Sequence, residues 1–363
     1  MGQKRTCGID LGTTNTTVCR FITEPLFEDM YTFECLPIVY PIEKAYGYHN
    51  VNGKKQLPSV LYVRNNPDPG KEPDYLVGRP ALQQAEADNA RNSSLFSNTK
   101  RKMGSSDDLG CGLTAAAVAK ELVEVCFYSH DNGIRVNDLK IRNIDQVCIT
   151  RPAAFNPFAV VDTVKTLKEL GCQNVVSIEE PQAALLNYLY ELLEKQNREQ
   201  ELLAKQKAHN GSLVFCVIDI GGGTTDVTVQ RLRLSGTKKP NISDGYQTGY
   251  CIEFQNEKQD GKQSRSNDYA AFGGVDFDKK AASELCRLVW EEFNKQGISM
   301  TNQQKEWLYA RAMKEAESYK IRLSESSGYG SSFGSFGDRI DQVTAIVHYT
   351  KDQYTQWVAP LCK

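Results

Sequence analysis

Two segments of the chain combine the residue types that handle phosphate. Residues 7–18 read Cys-Gly-Ile-Asp-Leu-Gly-Thr-Thr-Asn-Thr-Thr-Val, and residues 216–229 read Cys-Val-Ile-Asp-Ile-Gly-Gly-Gly-Thr-Thr-Asp-Val-Thr-Val. Allowing two extra glycines, Asp10 aligns with Asp219, Gly12 with Gly221, Thr13-Thr14 with Thr224-Thr225, and Asn15 with Asp226. Glycine lets a backbone close on a phosphate and turn its N–H groups toward it. Threonine hydroxyls add donors, and an aspartate beside polyphosphate calls for Mg²⁺ between them. One such segment describes an ordinary glycine turn with a solvated acid. The same segment in both halves of the chain implies two similar lobes gripping one nucleotide from opposite sides.

The elements that must position these residues follow from periodicity. Each copy runs apolar strand, acid, glycine turn, hydroxyl pair and β-branched strand, which is a hairpin with a polar tip. Residues 146–150 read as a strand ending in Arg151-Pro152. Asn156 then serves as N-cap with Pro157 at the first helical position. Val160, Val161, Val164, Leu167 and Leu170 recur at helical spacing, and Gly171 closes that helix. Val175 to Ile178 form a short strand before Glu179-Glu180-Pro181. Leu185, Leu186, Leu189, Leu192 and Leu193 mark a helix face that runs on into a solvated, charged extension over 194–208. Helices are predicted over 113–128, 277–296 and 303–323. Residues 236–268 are polar and aperiodic, a long surface insertion. The low-complexity run from Ser326 to Gly337 reads as a flexible loop or a poorly specified hairpin.

Composition bounds the rest. A length of 363 residues allows two or three domains. Forty-three basic and 45 acidic residues give net −2, with no electrostatic footprint for nucleic acid and no tail for an anionic membrane. Mean hydropathy is −0.47 and no apolar run nears the length of a membrane span. Eleven scattered cysteines without a Cys-x-x-Cys pair, and only four histidines, speak against a zinc site or a disulfide framework. A cytoplasmic protein in a reducing compartment is the expectation.

Four further stretches carry a resemblance: Arg-Pro-Ala-Ala-Phe-Asn (151–156), Glu-Glu-Pro-Gln-Ala-Ala (179–184), Phe-Gly-Gly-Val-Asp-Phe-Asp (272–278) and Glu-Ser-Tyr-Lys-Ile-Arg-Leu-Ser (317–324). With the two hairpins, in this order and approximate spacing from about residue 6 to the C-terminus, the sequence resembles the ATPase domain of the seventy-kilodalton heat-shock (DnaK-type) chaperones. Those belong to the actin-like ATPase superfamily. The resemblance implies an α/β actin-like ATPase fold, two similar ribonuclease H-like lobes around a nucleotide cleft, with lobe I over 1–188 and lobe II over 189–363. It implies ATP or ADP as ligand, with Mg²⁺ and K⁺. By position, Asp10 and Asp219 would hold Mg²⁺ largely through its waters, and Asp226 would help place a monovalent cation or water. Thr13, Thr14, Asn15, Gly221, Gly222, Gly223, Thr224 and Thr225 would cradle the phosphates, with Gly273 and Gly274 closing on them. Lys100, in Ser-Asn-Thr-Lys-Arg-Lys, resembles the catalytic lysine, and Glu180 the carboxylate that positions attacking water; Asp219 and Thr224 complete the catalytic set. Glu317, Lys320 and Ser324 match positions touching ribose and adenine.

Each assignment has a plainer rival. Lys100 lies in a basic run of a kind that usually faces solvent, Glu180 could simply open a helix, and Glu317 with Lys320 could be a surface pair. Phosphoryl transfer nonetheless needs little beyond an in-line water and compensation of spreading negative charge, which a lysine, Mg²⁺ and a carboxylate supply. The sequence also departs from the family pattern. Val160 stands where an arginine relays nucleotide state, and Val275 where a glutamate is usual. The strands and adenine motif that close lobe II in this family, and the peptide-binding domain, are not found. The expectation is a fragment of a longer chaperone, with a missing peptide-binding or effector domain and co-chaperones as partners. The alternatives are an actin-fold kinase of small molecules and a nucleotide-sensing scaffold that does not hydrolyse.

Overall fold

A computed structural model describes residues 6–23, 31–36, 38, 55–64, 74–88, 95–127, 144–223, 225–235, 251–254, 267–270, 273–325 and 333–362. They form a mixed α/β structure in two compact units, Met1–Gly221 with Thr225–Ala270, and Gly222–Thr224 with Ala271–Lys363. Among the described residues no helix is long and apolar enough to cross a membrane.

In the first unit, alternation decides the leading hairpin. Strand β1 (Thr6–Leu11) buries Cys7, Ile9 and Leu11 on one face and turns Gly8 and Asp10 out on the other. It pairs antiparallel with β2 (Asn15–Thr23), Asp10 opposite Thr17 and Gly8 opposite Cys19. Strand β3 (Tyr31–Cys35) continues the sheet beyond β2, and β4 (Leu57–Pro58) pairs with the Asn15 end of β2. Strands β5 (Val60–Val63), β6 (Tyr75–Val77) and β7 (Leu95–Ser97) make a separate sheet in the order β6-β5-β7, with helix α1 (Arg79–Ala87) against it. A 3₁₀ turn, Thr99–Lys102, follows β7. Helix α2 (Ala115–Phe127) then buries Val118, Ala119, Leu122, Val123 and Cys126 in the same core as Ile9, Val18, Val147 and Ile149.

The first sheet is completed by β8 (Gln146–Arg151) and β9 (Val175–Glu179), both parallel to β1, giving the order β3-β2-β1-β8-β9. Helix α3 (Pro157–Glu169) makes the crossover between them. Asn156 caps it, its side-chain oxygen accepting from Ala159 N–H at 2.9 Å, and Pro157 takes the first helical position. Its buried stripe differs from the one predicted from the valines. Ala159, Thr163, Thr166 and Leu167 are buried, while Val160 and Val164 are half-buried and Val161 is exposed. The two threonines can face inward because their hydroxyls bond back to Ala159 O (2.7 Å) and Asp162 O (2.9 Å), leaving their methyls for packing.

Helix α4 (Glu180–Tyr190) starts directly after β9, and a π turn over Glu191–Lys195 follows it. The predicted continuous extension is interrupted there. Asn197 takes a left-handed conformation, and a new helix, α5 (Glu199–Ala208), begins. Nor is α5 wholly solvated, for Leu202 and Gln206 are buried. The Gln206 amide accepts from Leu234 N–H (2.7 Å) and donates to Leu234 O (3.0 Å), which ties the helix to the second hairpin.

That hairpin is β10 (Leu213–Ile220) and β11 (Thr225–Ser235), with Asp219 opposite Asp226. Strand β12 (Cys251–Phe254), inside the 236–268 span read as an insertion, and β13 (Asn267–Ala270), which begins at its end, pair with the two halves of β11. Asn-Asp-Tyr-Ala has no apolar alternation to announce a strand; backbone pairing to an existing edge makes it one.

The second unit packs α6 (Gly274–Lys295) on α7 (Asn302–Glu325). Ala281, Ala282, Leu285, Val289 and Phe293 meet Leu308, Ala312, Ala316 and Tyr319, the alanines bringing the two backbones close. Strands β14 (Phe333–Ile340) and β15 (Val343–Thr350) form a hairpin, so the described part of the low-complexity run is ordered. Gly334 is required there, because a Cβ would fall inside the Tyr349 ring. Helix α8 (Lys351–Val358) ends the unit behind a Thr350–Gln353 capping box.

The Asn156 cap yields a direct test. Asn156→Ala should lower unfolding free energy by about 1 kcal/mol in urea titration, and Asn156→Ser should recover most of it. An unchanged alanine variant would show that the side-chain cap contributes nothing net.

Candidate functional site

Three neighbouring parallel strands deliver their C-terminal ends to one edge of the first sheet. Asp10 is the penultimate residue of β1, Thr150 the penultimate of β8, and Glu180 follows β9 as the first residue of α4. Open α/β sheets bind ligands at this edge, because strands end there and helices begin. Thr150 Oγ1 donates to Asp10 Oδ1 at 2.7 Å, fixing one carboxylate oxygen and leaving the other free to turn outward.

Lys100 reaches the same place from the 3₁₀ turn after β7. Within Lys-Arg-Lys, Lys102 is exposed and Arg101 half-buried, yet Lys100 is only 8% exposed. The turn draws one of the three basic side chains inward, where the Lys100 ammonium pairs with Glu180 Oε1. This burial removes the reading of Lys100 as one more solvated charge. Glu180 is no mere helix opener either, since its side chain is committed to the lysine.

The pair does not balance its surroundings. Burial raises the Glu180 carboxyl above its ordinary value; Lys100 works against that shift, and the charges of Asp10 and Asp219 reinforce it. Asp219 is raised by burial and then by Asp10, with Lys100 opposing. Three carboxylates and one ammonium therefore share one field within the first unit, and the sum is negative. Such a donor set fits a divalent cation. Among the described residues no three His, Cys, Asp or Glu side chains lie close enough to ligate an ion by themselves. Mg²⁺ asks for no such cage, being commonly held by one or two carboxylates together with waters and ligand phosphates.

The hairpin tips are held by backbone constraints. At Gly12 a Cβ would collide with Asn15 O, so the first turn closes only with glycine there. Buried Ser59 braces it, donating from Oγ to Gly12 O (2.7 Å) and from N–H to Thr14 O (2.7 Å), while sharing a hydrogen bond with Thr16 Oγ1. Thr13 is buried, Thr14 half-buried and Asn15 exposed. In the second copy Gly221, Gly222 and Thr225 are half-buried, Gly223 and Asp226 buried; Thr224 lies outside the described residues.

The remaining candidates belong to the second unit. Gly273 and Gly274 lead into α6, and Asp276 accepts from Gly273 N–H at 2.9 Å. Val275 donates its N–H to Gly222 O at 2.7 Å, a contact that any residue but proline supplies. Lys320 does not pair with Glu317, which is exposed. Its ammonium instead donates to Asp278 Oδ2 (2.6 Å) and Gly274 O (3.0 Å), tying α7 to the first turn of α6. Two of its three N–H donors are thus engaged, with one left over. Burial raises the Asp278 carboxyl and Lys320 draws it back. Ser324 sits in the last turn of α7.

Sequence reasoning missed Thr150, Ser59 and Asp278. Asp278 stands inside the quoted Phe-Gly-Gly-Val-Asp-Phe-Asp stretch, so its signal was available. Thr150 required the register of β8 on β1. Ser59 lies 47 residues from its partner Gly12 and carries no local signal.

No protein-family model matches the chain. It is similar to the chaperone protein DnaK of Mycoplasma mobile, 30% identical over 233 residues, 64% of this chain and 30% of that protein. DnaK of Mesomycoplasma hyopneumoniae is 25% identical over 328 residues, 90% of this chain and 42% of the relative. DnaK of Stenotrophomonas maltophilia is 27% identical, covering 88% of this chain and 43% of the relative. The similarity is distant, and the chain spans less than half the length of these relatives.

The raised carboxyls define a pH dependence. Between its ordinary value near 3.8 and its raised folded value, Asp219 binds more protons folded than unfolded, so its contribution to stability is present at acid pH and is lost as pH rises through the folded value. Asp219→Asn should therefore flatten this fall and raise the melting temperature of the ligand-free chain at pH 7. Identical stability–pH profiles for the two proteins would show that Asp219 carries no such strain.

Proposed function

We propose that the chain binds and hydrolyses ATP with Mg²⁺, as the nucleotide-binding part of a divergent DnaK-type chaperone. The observation that carries this reading is the buried Lys100–Glu180 pair within the field of Asp10 and Asp219. Phosphoryl transfer to water needs positive charge against the spreading negative charge of the phosphoryl group, and an oriented water. Lys100 supplies the first and is held in place by Glu180. With Oε1 committed to the lysine, Glu180 Oε2 accepts a hydrogen bond from the attacking water, and the raised affinity of this carboxyl suits it to hold a proton in passing.

Asp10, steadied by Thr150, and Asp219 would hold Mg²⁺, which when bound neutralises phosphate oxygens. Thr13, Thr14 and Asn15, with residues 221–225, offer N–H groups and hydroxyls to the phosphates; Asp226 is assigned to K⁺ or water. Gly273, Gly274, Glu317, Lys320 and Ser324 are carried over as further nucleotide contacts, Lys320 through its spare donor. In this reading hydrolysis drives a peptide-binding or other effector domain and answers to co-chaperones; the relatives, each a chaperone protein DnaK, support the chaperone part of it.

Single-turnover hydrolysis with Mg²⁺-ATP tests the assignment. Lys100→Ala should bind ATP within about threefold of the parent yet hydrolyse it at least ~10-fold more slowly, and losses of about 10²–10³ are typical of removing one such electrostatic group. Asp219→Ala should lose the Mg²⁺ dependence of binding. Turnover of Lys100→Ala near the parent rate would remove Lys100 from the mechanism, and a parent chain that fails to bind Mg²⁺-ATP would overturn the reading.

A further inference from the structure

We propose that Cys19 and Cys35 form a modification site, a cross-strand dithiol that an oxidant of the peroxide class closes to a disulfide. Nothing in the sequence pairs them, because 16 positions separate them and neither belongs to a Cys-x-x-Cys motif. The register of the first sheet does, setting Cys19 of β2 directly opposite Cys35 of β3. Leu36 N–H donates to Val18 O at 2.8 Å, so Val18 and Leu36 occupy a hydrogen-bonded position of the ladder. Such positions alternate along an antiparallel pair, which puts Cys19 and Cys35 at the narrow position with Cα atoms about 4.5 Å apart. A disulfide spans Cα separations of about 4.4–6.8 Å, so closure needs no movement of the strands.

Selectivity follows from the same register. Both thiols are free and half-buried, within reach of a small oxidant. Cys148 shares their face and row, but Gly8 lies between it and Cys19. Two strand spacings, about 9.5 Å, put it outside bonding range. Cys7 sits opposite Arg20, one position away from Cys19 along the ladder and so on the other face of the sheet, and is buried. Burial, and after it a hydrogen bond to Cys35, push the Cys19 thiol up to about 12. That hydrogen bond brings the two sulfurs within reach of one another, as closure requires.

The chemistry balances with hydrogen peroxide alone. One of the two thiols, as its thiolate, attacks one peroxide oxygen, the O–O bond breaks, and the departing hydroxide takes a proton to become water. The other sulfur then displaces the hydroxyl of the resulting sulfenic acid; an S–S bond forms, the S–O bond breaks, and a second water leaves carrying that thiol's proton. Two thiols lose two electrons and two protons, and one peroxide is reduced to two waters.

The test is peptide mapping of the folded chain after hydrogen peroxide, with remaining thiols blocked by N-ethylmaleimide before trypsin. Cleavage after Arg5, Arg20 and Lys44 separates residues 6–20, which hold Cys7 and Cys19, from residues 21–44, which hold Cys35. The expected product is a dithiothreitol-reversible link between these two peptides, at least ~10-fold more abundant than any other cysteine pair. It should persist in Cys7→Ser and Cys148→Ser and vanish in Cys19→Ser. N-ethylmaleimide on both Cys19 and Cys35 after peroxide has oxidised the exposed Cys111 would overturn the proposal, as would a link that survives Cys19→Ser.

Discussion

Burying Lys100 without a partner would be prohibitive, and burying Glu180 alone would drive it to protonate. Together each makes the other tolerable, and this pair is the constraint around which the first unit is arranged. Such pairs add little to stability on balance, because desolvation consumes most of the Coulombic gain. What the arrangement achieves is placement. An ammonium held by one carboxylate oxygen cannot wander, and it stays beside Asp10 and Asp219, whose charges it only partly offsets. The excess negative charge is an energetic liability for the ligand-free chain. It is also the feature that gives a divalent cation something to neutralise.

Meeting that constraint takes groups from five places far apart in sequence. The parallel arrangement of β1, β8 and β9 does most of the work, since parallel neighbours end at the same edge and one residue from each lands there. The crossover through α3 is what makes β8 and β9 parallel, so the Asn156 cap and the inward-facing threonines of that helix support the site from a distance. Lys100 comes from a different sheet, through a turn too short to let its three basic residues share one exposure. The hairpin β10–β11 brings Asp219, and buried Gln206 on α5 holds the far end of that hairpin by two hydrogen bonds to one residue. Positions are fixed by backbone pairing and by a few buried polar side chains that find complete partners, as polar groups in a core must.

These origins explain what could be read in advance. The two hairpins, the α3 cap and the β9–α4 junction were legible because each rests on local rules: alternation, capping, proline at a helix start. The buried stripe of α3 was misjudged because valine outranks threonine on any hydrophobic scale, whereas a threonine whose hydroxyl bonds to the preceding turn is an acceptable core residue. Strand β13 was invisible because its pattern carries no alternation, and β12 offers only four residues of it inside a polar stretch; β11 recruits both. The Ser59 brace, the Thr150–Asp10 contact and the Cys19–Cys35 juxtaposition are all products of register, which connects residues 47, 140 and 16 positions apart. No windowed reading of a sequence reaches that far. Resemblance bridged part of the gap, pointing to Lys100 where its basic neighbours alone would have assigned it to solvent.

The two departures from the DnaK-type pattern can be weighed on the same physical terms. Val275 meets Gly222 through its backbone N–H, so losing the usual glutamate leaves that contact intact, and the ammonium of Lys320 is paired with Asp278. Val160 lies in the first turn of α3, half-buried, with its own N–H bonded to Asn156 O. A valine there serves the helix but presents no charge to any partner. The acids and the lysine proposed for the chemistry sit at strand ends and turns, none of them on that helix turn. Hydrolysis and its communication to another domain would, on the proposed function, rest on different elements, and a chain could keep the groups for one while altering those for the other. On the proposed function, the divergence of this chain lies in how nucleotide state is passed on, not in the handling of phosphate.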